Sequence, residues 1–458
     1  MGKLTRTALA ATLTAGLLLG VVPVAAAAAP ATFGSPTANS TFNTGIVFSQ
    51  PITISQPIGR AEVLLTIADA IGPEVVDVPV PATSGATTLT YTLDTSGPAH
   101  MIPNTGIVAR WRVVAADDPT AVALGPEFRL VYADDRFQWK TATSNLVRVH
   151  WYDGTDAFAA KALRLGEDEV VATSKLLGVT ETQPVDFFVY ANVDDFYGAL
   201  GPGAHENVAG TAFANIRTLL GLIPPDQIDD PLVAVRIPHE FVHLVFNTAA
   251  DNPYHLAPRW LNEGLAVYQS ESYGTSDRAQ VRAAAAAGSL IPLDGLTGQF
   301  PNGDDFFLAY SESVSAVDFM IRTYGSPALV KLIRSYAEGR TDNEAFKDAL
   351  GLDMTAFGGA WFAANNATPK ARSGPESAPP GPVPSAWLGA MPGSSGALDR
   401  SAAPGSTGGS AAPIPGATPA SSDDGLSTWI GLVVVIVIVG LVLIVVAARR
   451  RQMSARTS

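Results

Sequence analysis

The chain contains no cysteine. That excludes disulfide cross-links, thiolate-held metal sites and a cysteine nucleophile. Positive charge is scarce as well: 29 Lys and Arg stand against 42 Asp and Glu, a net charge of −13. No basic patch lies outside the two termini, so nucleic acid is not an expected partner, because phosphate binding needs clustered Lys and Arg. There is no Gly-x-Ser-x-Gly elbow, which argues against a serine hydrolase. Gly201-Pro202-Gly203 lacks a following Lys-Ser or Lys-Thr and reads as a turn, not a phosphate loop. No internal repeat is evident. What the chain does have is length, 458 residues, enough for two or three domains, and a hydrophobic content of 47%, ample for packed cores.

Both ends carry signals. Lys3 and Arg6 precede an apolar run from Ala8 to Val24 and a tract of small residues from Ala25 to Ala29. This layout predicts a secretory signal peptide over 1–29. At the other end, Trp429 to Ala448 is free of charge and long enough to span a bilayer. A transmembrane helix is predicted over 426–448, followed by a cytoplasmic tail at 449–458. Arg449, Arg450 and Arg451 place that tail inside and the bulk of the chain outside, as a single-pass cell-membrane protein with an extracellular N-terminal part.

Between the ends the pattern changes three times. From 30 to 136 short β-rich runs, among them Thr88 to Leu93, Ile107 to Val114 and Arg60 to Ile67, are separated by Pro and Gly clusters, which predicts an immunoglobulin-like β-sandwich. From 137 to 366 strands at Leu146 to Trp151 and Val185 to Tyr190, a helix from Ala157 to Leu177 and a further strand over Gly210 to Leu220 give way to helices. These are expected at about 227–248, 258–270, 276–287, 305–323 and 326–337, so the class is α+β, with a mixed sheet. From 367 to 425 the composition is Pro, Gly, Ser and Ala, which predicts a disordered stalk.

Chemistry concentrates in one place. Pro238-His239-Glu240-Phe241-Val242-His243 contains H-E-x-x-H. On a helix, residues four apart share a face, so His239 and His243 can reach one zinc ion. Glu240 beside them can take a proton from a zinc-activated water. A catalytic zinc usually has three protein ligands. The third candidate is Glu263 in Arg259-Trp260-Leu261-Asn262-Glu263-Gly264, at a distance that suits a helix, a turn and an antiparallel helix. The competing His255 falls in the expected turn. His100, His150 and His205 have no partner at ligand spacing and read as surface or hydrogen-bonded residues. Pro238 either opens a new helix or interrupts a longer one.

H-E-x-x-H followed at this interval by W-L-N-E-G-x-A resembles the gluzincin zinc peptidases, in particular the zinc aminopeptidases and the broader peptidase MA-like domains, including thermolysin-like members. The resemblance implies a zincin-like catalytic domain over 137–366, with His239, His243 and Glu263 as zinc ligands and Glu240 as base. It also implies an oxyanion-stabilising tyrosine on a later helix, and Tyr310 in Tyr310-Ser311-Glu312-Ser313 matches that place. Two positions depart from the family. The Gly-x-Met-Glu-Asn element that holds a free amine is set against Gly210–Asn215, a stretch that contains no Glu. The Asp four residues after the ligand Glu is replaced by Val267, so the groups that support the ligands must differ.

The sequence therefore predicts a membrane-anchored extracellular zinc metallopeptidase acting on peptide or protein substrates. The alternative is a non-catalytic surface adhesion or scaffold protein with a structural or vestigial zinc site. The intact Glu240 favours the enzyme, because a structural site needs no base.

Overall fold

Thr88 to Leu93 lies within a ten-residue strand, Gly85–Asp94, that buries Leu89 and turns Thr88, Thr90 and Thr92 outward. Period-two alternation of this kind produces a strand with one face on a core. In the computed structural model, residues 29–371 are described, apart from 69, 71, 83, 203, 205–207 and 253–255. The N-terminal part holds β1 (Ala31–Phe33), β2 (Thr37–Thr41), β3 (Gly45–Ile54), β4 (Ile58–Ile67), β5 (Glu74–Val78), β6 (Gly85–Asp94), β7 (Gly106–Ala115), β8 (Val122–Leu124) and β9 (Phe128–Val131). One sheet pairs β3 with β1 and β2 on one side and β6 on the other. The second runs β5-β4-β7, with β8 and β9 both on the far side of β7. All pairings are antiparallel, and Ile46, Phe48 and Ile52 of the first sheet share a core with Val63, Trp111 and Val113 of the second. This is a sandwich of two sheets.

A mixed five-stranded sheet follows, in the order β10-β11-β12-β14-β13. Its strands are β10 (Lys140–Thr143), β11 (Val147–Trp151), β12 (Val185–Tyr190), β13 (Gly210–Phe213) and β14 (Thr218–Leu222). The three central strands are parallel and the two edges antiparallel. The helices are α1 (Asp156–Leu177), α2 (Val193–Leu200), α3 (Pro231–Ala250), α4 (Arg259–Ser270), α5 (Thr275–Ala287), α6 (Asp304–Tyr324), α7 (Ser326–Ala337), α8 (Asp342–Leu350) and α9 (Met354–Ala364). Phe187, Val189 and Leu219 face the helices, whereas Tyr190 and Leu220 join the sandwich core. Both faces of this sheet are thus covered, which is why β12 reads as a nearly unbroken apolar run.

Asp186 interrupts that run. It accepts from Arg148 through both oxygens (2.7 and 2.6 Å), from His150 Nε2 (2.7 Å) and from Asn104 of the sandwich (3.0 Å). Burial works against its charge, but His150 and Arg148 prevail and hold the carboxyl well below its usual range. His150 is therefore a hydrogen-bonded residue, as expected, and Asn104 ties the sandwich to the mixed sheet.

Three expectations need correction. Gly210 to Leu220 is not one strand but the hairpin β13–β14, because Arg217 turns the chain in the left-handed region (φ 50°). Val193–Leu200, for which nothing was expected, is helical and is capped by Asn192, whose side chain accepts the Asp195 N–H at 2.9 Å. The helix expected from about 227 starts at Pro231, where Asp230 accepts the Leu232 N–H at 2.8 Å. Pro238 lies inside that helix, which continues through it despite the missing N–H. At the C-terminal end, Ala367 still packs against the helical core and Lys370 donates to the Leu290 carbonyl at 2.7 Å. Among the described residues no helix is long and apolar enough to cross a membrane. The predicted transmembrane segment 426–448, and the predicted signal peptide up to residue 28, lie outside the described residues.

Candidate metal centre

The site is assembled by three helices and one edge strand. α3 supplies His239, Glu240 and His243; its opposite face, with Ile237, Phe241, Leu244 and Val245, is buried in the core. That amphipathic division fixes the rotation of the helix and turns both imidazoles toward a cleft. α4 returns alongside α3 and brings Glu263. α6 brings Tyr310, and β13 forms the opposite wall. The cleft has a volume of about 750 Å³.

Among the described residues, His239, His243 and Glu263 form a group whose donor atoms converge. The two Nε2 atoms lie 3.2 Å apart. Glu263 Oε2 lies 3.5 Å from His239 Nε2 and 3.4 Å from His243 Nε2. A tetrahedral zinc with bonds of roughly 2.0–2.1 Å sets its donors about 3.3–3.4 Å apart, so the observed triangle has the edge lengths such an ion requires. Glu263 Oε2 is moreover a buried oxygen with no hydrogen-bond partner. Buried polar atoms are normally satisfied, and an ion shared with the imidazoles would satisfy this one. The donor set, two imidazoles and one carboxylate, is one that zinc accepts.

The electrostatics agree. Burial alone would depress the His243 imidazole, but the adjacent Glu263 carboxylate overrides it and raises the pKa to about 9. Burial likewise opposes the charge on Glu263, and the two imidazoles overcome it and hold the carboxyl well below its usual range. Without a metal the buried site therefore keeps an imidazolium beside a carboxylate, and a bound metal ion would take the place of the imidazole proton. His243 Nδ1 donates to Asn262 Oδ1 at 2.8 Å, so Nε2 is the nitrogen left to give up its proton and face the other donors. Asn262 therefore supplies a ligand support. It lies on the residue just before Glu263, not four residues beyond it, where the chain has Val267.

Glu240 is buried, and burial pushes its carboxyl up, with a smaller upward contribution from Glu263 opposed by both imidazoles and Arg236. Its carboxylate lies against the backbone of β13: a Cβ on Gly210 would fall 2.4 Å from Glu240 Oε1. Gly210 is the first residue of the segment matched above to the amine-holding element, and the structure places that segment beside the base. Tyr310 packs on Phe300 (5.2 Å) and Phe306 (5.3 Å) and lies 6.4 Å from the His239 ring. Burial raises its hydroxyl pKa, Glu263 adds to the rise, and Arg259 opposes it. All five residues singled out in the sequence, His239, Glu240, His243, Glu263 and Tyr310, line this one cleft. His255 lies outside the described residues. Sequence reasoning missed Asn262, Gly210 and Arg259. Asn262 was visible only as part of the W-L-N-E-G string and Gly210 only as the start of the segment set against the amine-holding element; Arg259 carried no local signal.

Residues 166–366 match the Peptidase MA superfamily. No curated protein matches the chain. Solved structures similar to it include an M1 zinc metallopeptidase from Deinococcus radiodurans, at 12% identity and a TM-score of 0.33, over 76% of this chain and 94% of that one. Another is an aminopeptidase N family protein from Idiomarina loihiensis, at 10% identity and a TM-score of 0.39, over 73% and 75% of the two chains. The converging His-His-Glu group lies inside the segment that matches the Peptidase MA superfamily, an arrangement consistent with a gluzincin peptidase-like domain.

Proposed function

We propose that the protein is a zinc-dependent peptidase in which His239, His243 and Glu263 hold the metal. The observation that carries this reading is the donor triangle with edges of 3.2–3.5 Å and the buried Glu240 next to it. Zinc, when bound, supplies a Lewis acid that polarises the scissile carbonyl and acidifies water. Glu240 takes a proton from the attacking water and returns it to the leaving amine; its raised pKa suits both transfers. Tyr310 keeps its proton at neutral pH and donates a hydrogen bond to the developing oxyanion. β13, an edge strand beside the base, offers backbone groups to an extended peptide.

We place the enzyme outside the cell, tethered by a C-terminal helix at 426–448 behind a stalk. The support is the charge pattern of the ends: Lys3 and Arg6 before an apolar run, and three arginines after an uncharged one. The test is Glu240→Gln in the full chain. The variant is expected to bind zinc as wild type does and to lose hydrolysis of a peptide library by ~10²-fold or more. Equal hydrolysis by both proteins would refute Glu240 as the base, and a zinc-loaded wild type with no hydrolysis would assign the site a structural role.

A further inference from the structure

Arg259 opens α4 one turn before Glu263, and its surroundings fix it closely. Its backbone N–H bonds to the Thr297 carbonyl at 2.9 Å. Its Nη1 donates to Gln299 Oε1 at 2.9 Å, and the Phe300 ring lies 5.1 Å from the guanidinium carbon. Its Nη2 lies 3.2 Å from Glu263 Oε1. The Tyr310 hydroxyl lies beside the same guanidinium, which opposes the rise of its pKa, and the Tyr310 ring packs edge-on against Phe300. The two oxygens of Glu263 are thus divided. Oε1 faces a cation that is always charged and planar; Oε2 faces the imidazoles.

We propose that Arg259 is a positioning residue that holds Glu263 Oε1, so that Oε2 alone is presented to the metal, and that fixes the Tyr310 hydroxyl beside it. The inference rests on the zinc reading of the site. A carboxylate free to rotate would offer either oxygen, or both, and would lose the triangle that matches a tetrahedral ion. The guanidinium fork suits this task better than an ammonium, because one planar group reaches Glu263, Gln299 and Tyr310 at once. A cation here also repels a dication, so removing it has two opposed effects. Orientation dominates: supporting groups of this kind are worth roughly 10–100-fold in metal affinity. The repulsion is reduced because the Glu263 charge intervenes and the Arg259 side chain is 34% exposed, where solvent screens it.

The experiment measures metal binding by the full chain, by R259M and by R259K, with zinc in competition against a chromophoric chelator and with Co²⁺ followed by its visible spectrum. R259M is expected to bind zinc 10–100-fold more weakly than wild type and to give an altered Co²⁺ spectrum, as the carboxylate rotates. R259K, which keeps the charge without the fork, is expected to recover part of the affinity and not the spectrum. Far-UV circular dichroism of the metal-free proteins identifies any variant that has unfolded. Wild-type affinity and spectrum in R259M, or in R259K should R259M unfold, overturn the proposal and leave the zinc reading standing. A folded wild type that binds no zinc overturns both.

Discussion

Gly264 follows the third ligand on α4, and replacing it with alanine isolates how far the site depends on helix packing. A Cβ at this position would lie 2.4 Å from the Ser313 carbonyl oxygen, 2.7 Å from its carbon and 2.8 Å from Val317 Cγ2. Ordinary contact between such atoms is roughly 3.5–4.0 Å, so α4 and α6 must separate by about 1 Å. The obstruction is backbone and cannot rotate aside. Overpacking of this kind costs up to ~3 kcal/mol, and the better helix propensity of alanine returns ~1 kcal/mol. The net loss is ~2 kcal/mol, which lowers the melting temperature by roughly 4–8 °C for a domain of this size. α4 carries Arg259, Asn262 and Glu263, and α6 carries Tyr310, so the same shift pulls one donor away from the two imidazoles. Misplacement by 1 Å can cost ~10²-fold in rate. Gly359→Ala is the control. Gly359 is also helical, but its Cβ would meet nothing within 4 Å, so alanine there is expected to stabilise by ~0.5–1 kcal/mol. Differential scanning calorimetry of the metal-free proteins and zinc competition read the two effects separately. Wild-type melting and zinc affinity in Gly264→Ala would refute the reasoning.

Two further outcomes are expected. Gly210→Ala drives a methyl group into the Glu240 carboxylate, so peptide hydrolysis should fall by ~10²-fold while zinc affinity stays at the wild-type value; a fall in zinc affinity of equal size would show that β13 supports the ligands and not the base. Burial pushes the Glu312 carboxyl up to about 8, so between roughly pH 4.5 and 8 the unfolded chain loses a proton that the folded chain keeps, and stability falls with rising pH by up to ~1.4 kcal/mol per unit. Glu312→Gln should remove that slope, matching wild type at pH 4 and exceeding it at pH 8 in urea unfolding; parallel profiles would show that Glu312 ionises freely in the folded state.

The sequence was most legible where a short-range rule operates. Residues four apart on a helix must share a face, so His239 and His243 could be paired without a structure. The bounds of α4, α5, α6 and α7 follow composition and Gly or Pro punctuation to within a residue or two. It was least legible where distant segments decide. Gly210 to Leu220 has a continuous strand-like appearance, and only the left-handed Arg217 makes it a hairpin. Arg259 looks like any basic residue at a helix start; its partners Gln299, Phe300 and Tyr310 come from a loop and a helix some forty or fifty positions later. Asn104 belongs to a turn of the sandwich, and nothing local connects it to Asp186. Support for a site is a tertiary property, and periodicity cannot report it.

The buried charges of this chain differ in a way that separates structural pairs from the site. At Asp186 both oxygens receive short hydrogen bonds, from Arg148 at 2.6–2.7 Å and His150 at 2.7 Å. Asp134 is similar, with Arg136 at 2.7–2.8 Å. Contacts of that length are what a fold needs to keep a charge out of water. Glu263 is as deeply buried, yet its Oε2 stops 3.4–3.5 Å from two imidazole nitrogens that themselves stand 3.2 Å apart. Hydrogen bonding would have drawn the carboxylate closer. Close packing of α3, α4 and α6, with Gly264 against Ser313, holds the three donors at that separation. The spacing is too long for ion pairs satisfied among themselves, and it is the spacing at which one small cation would touch all three.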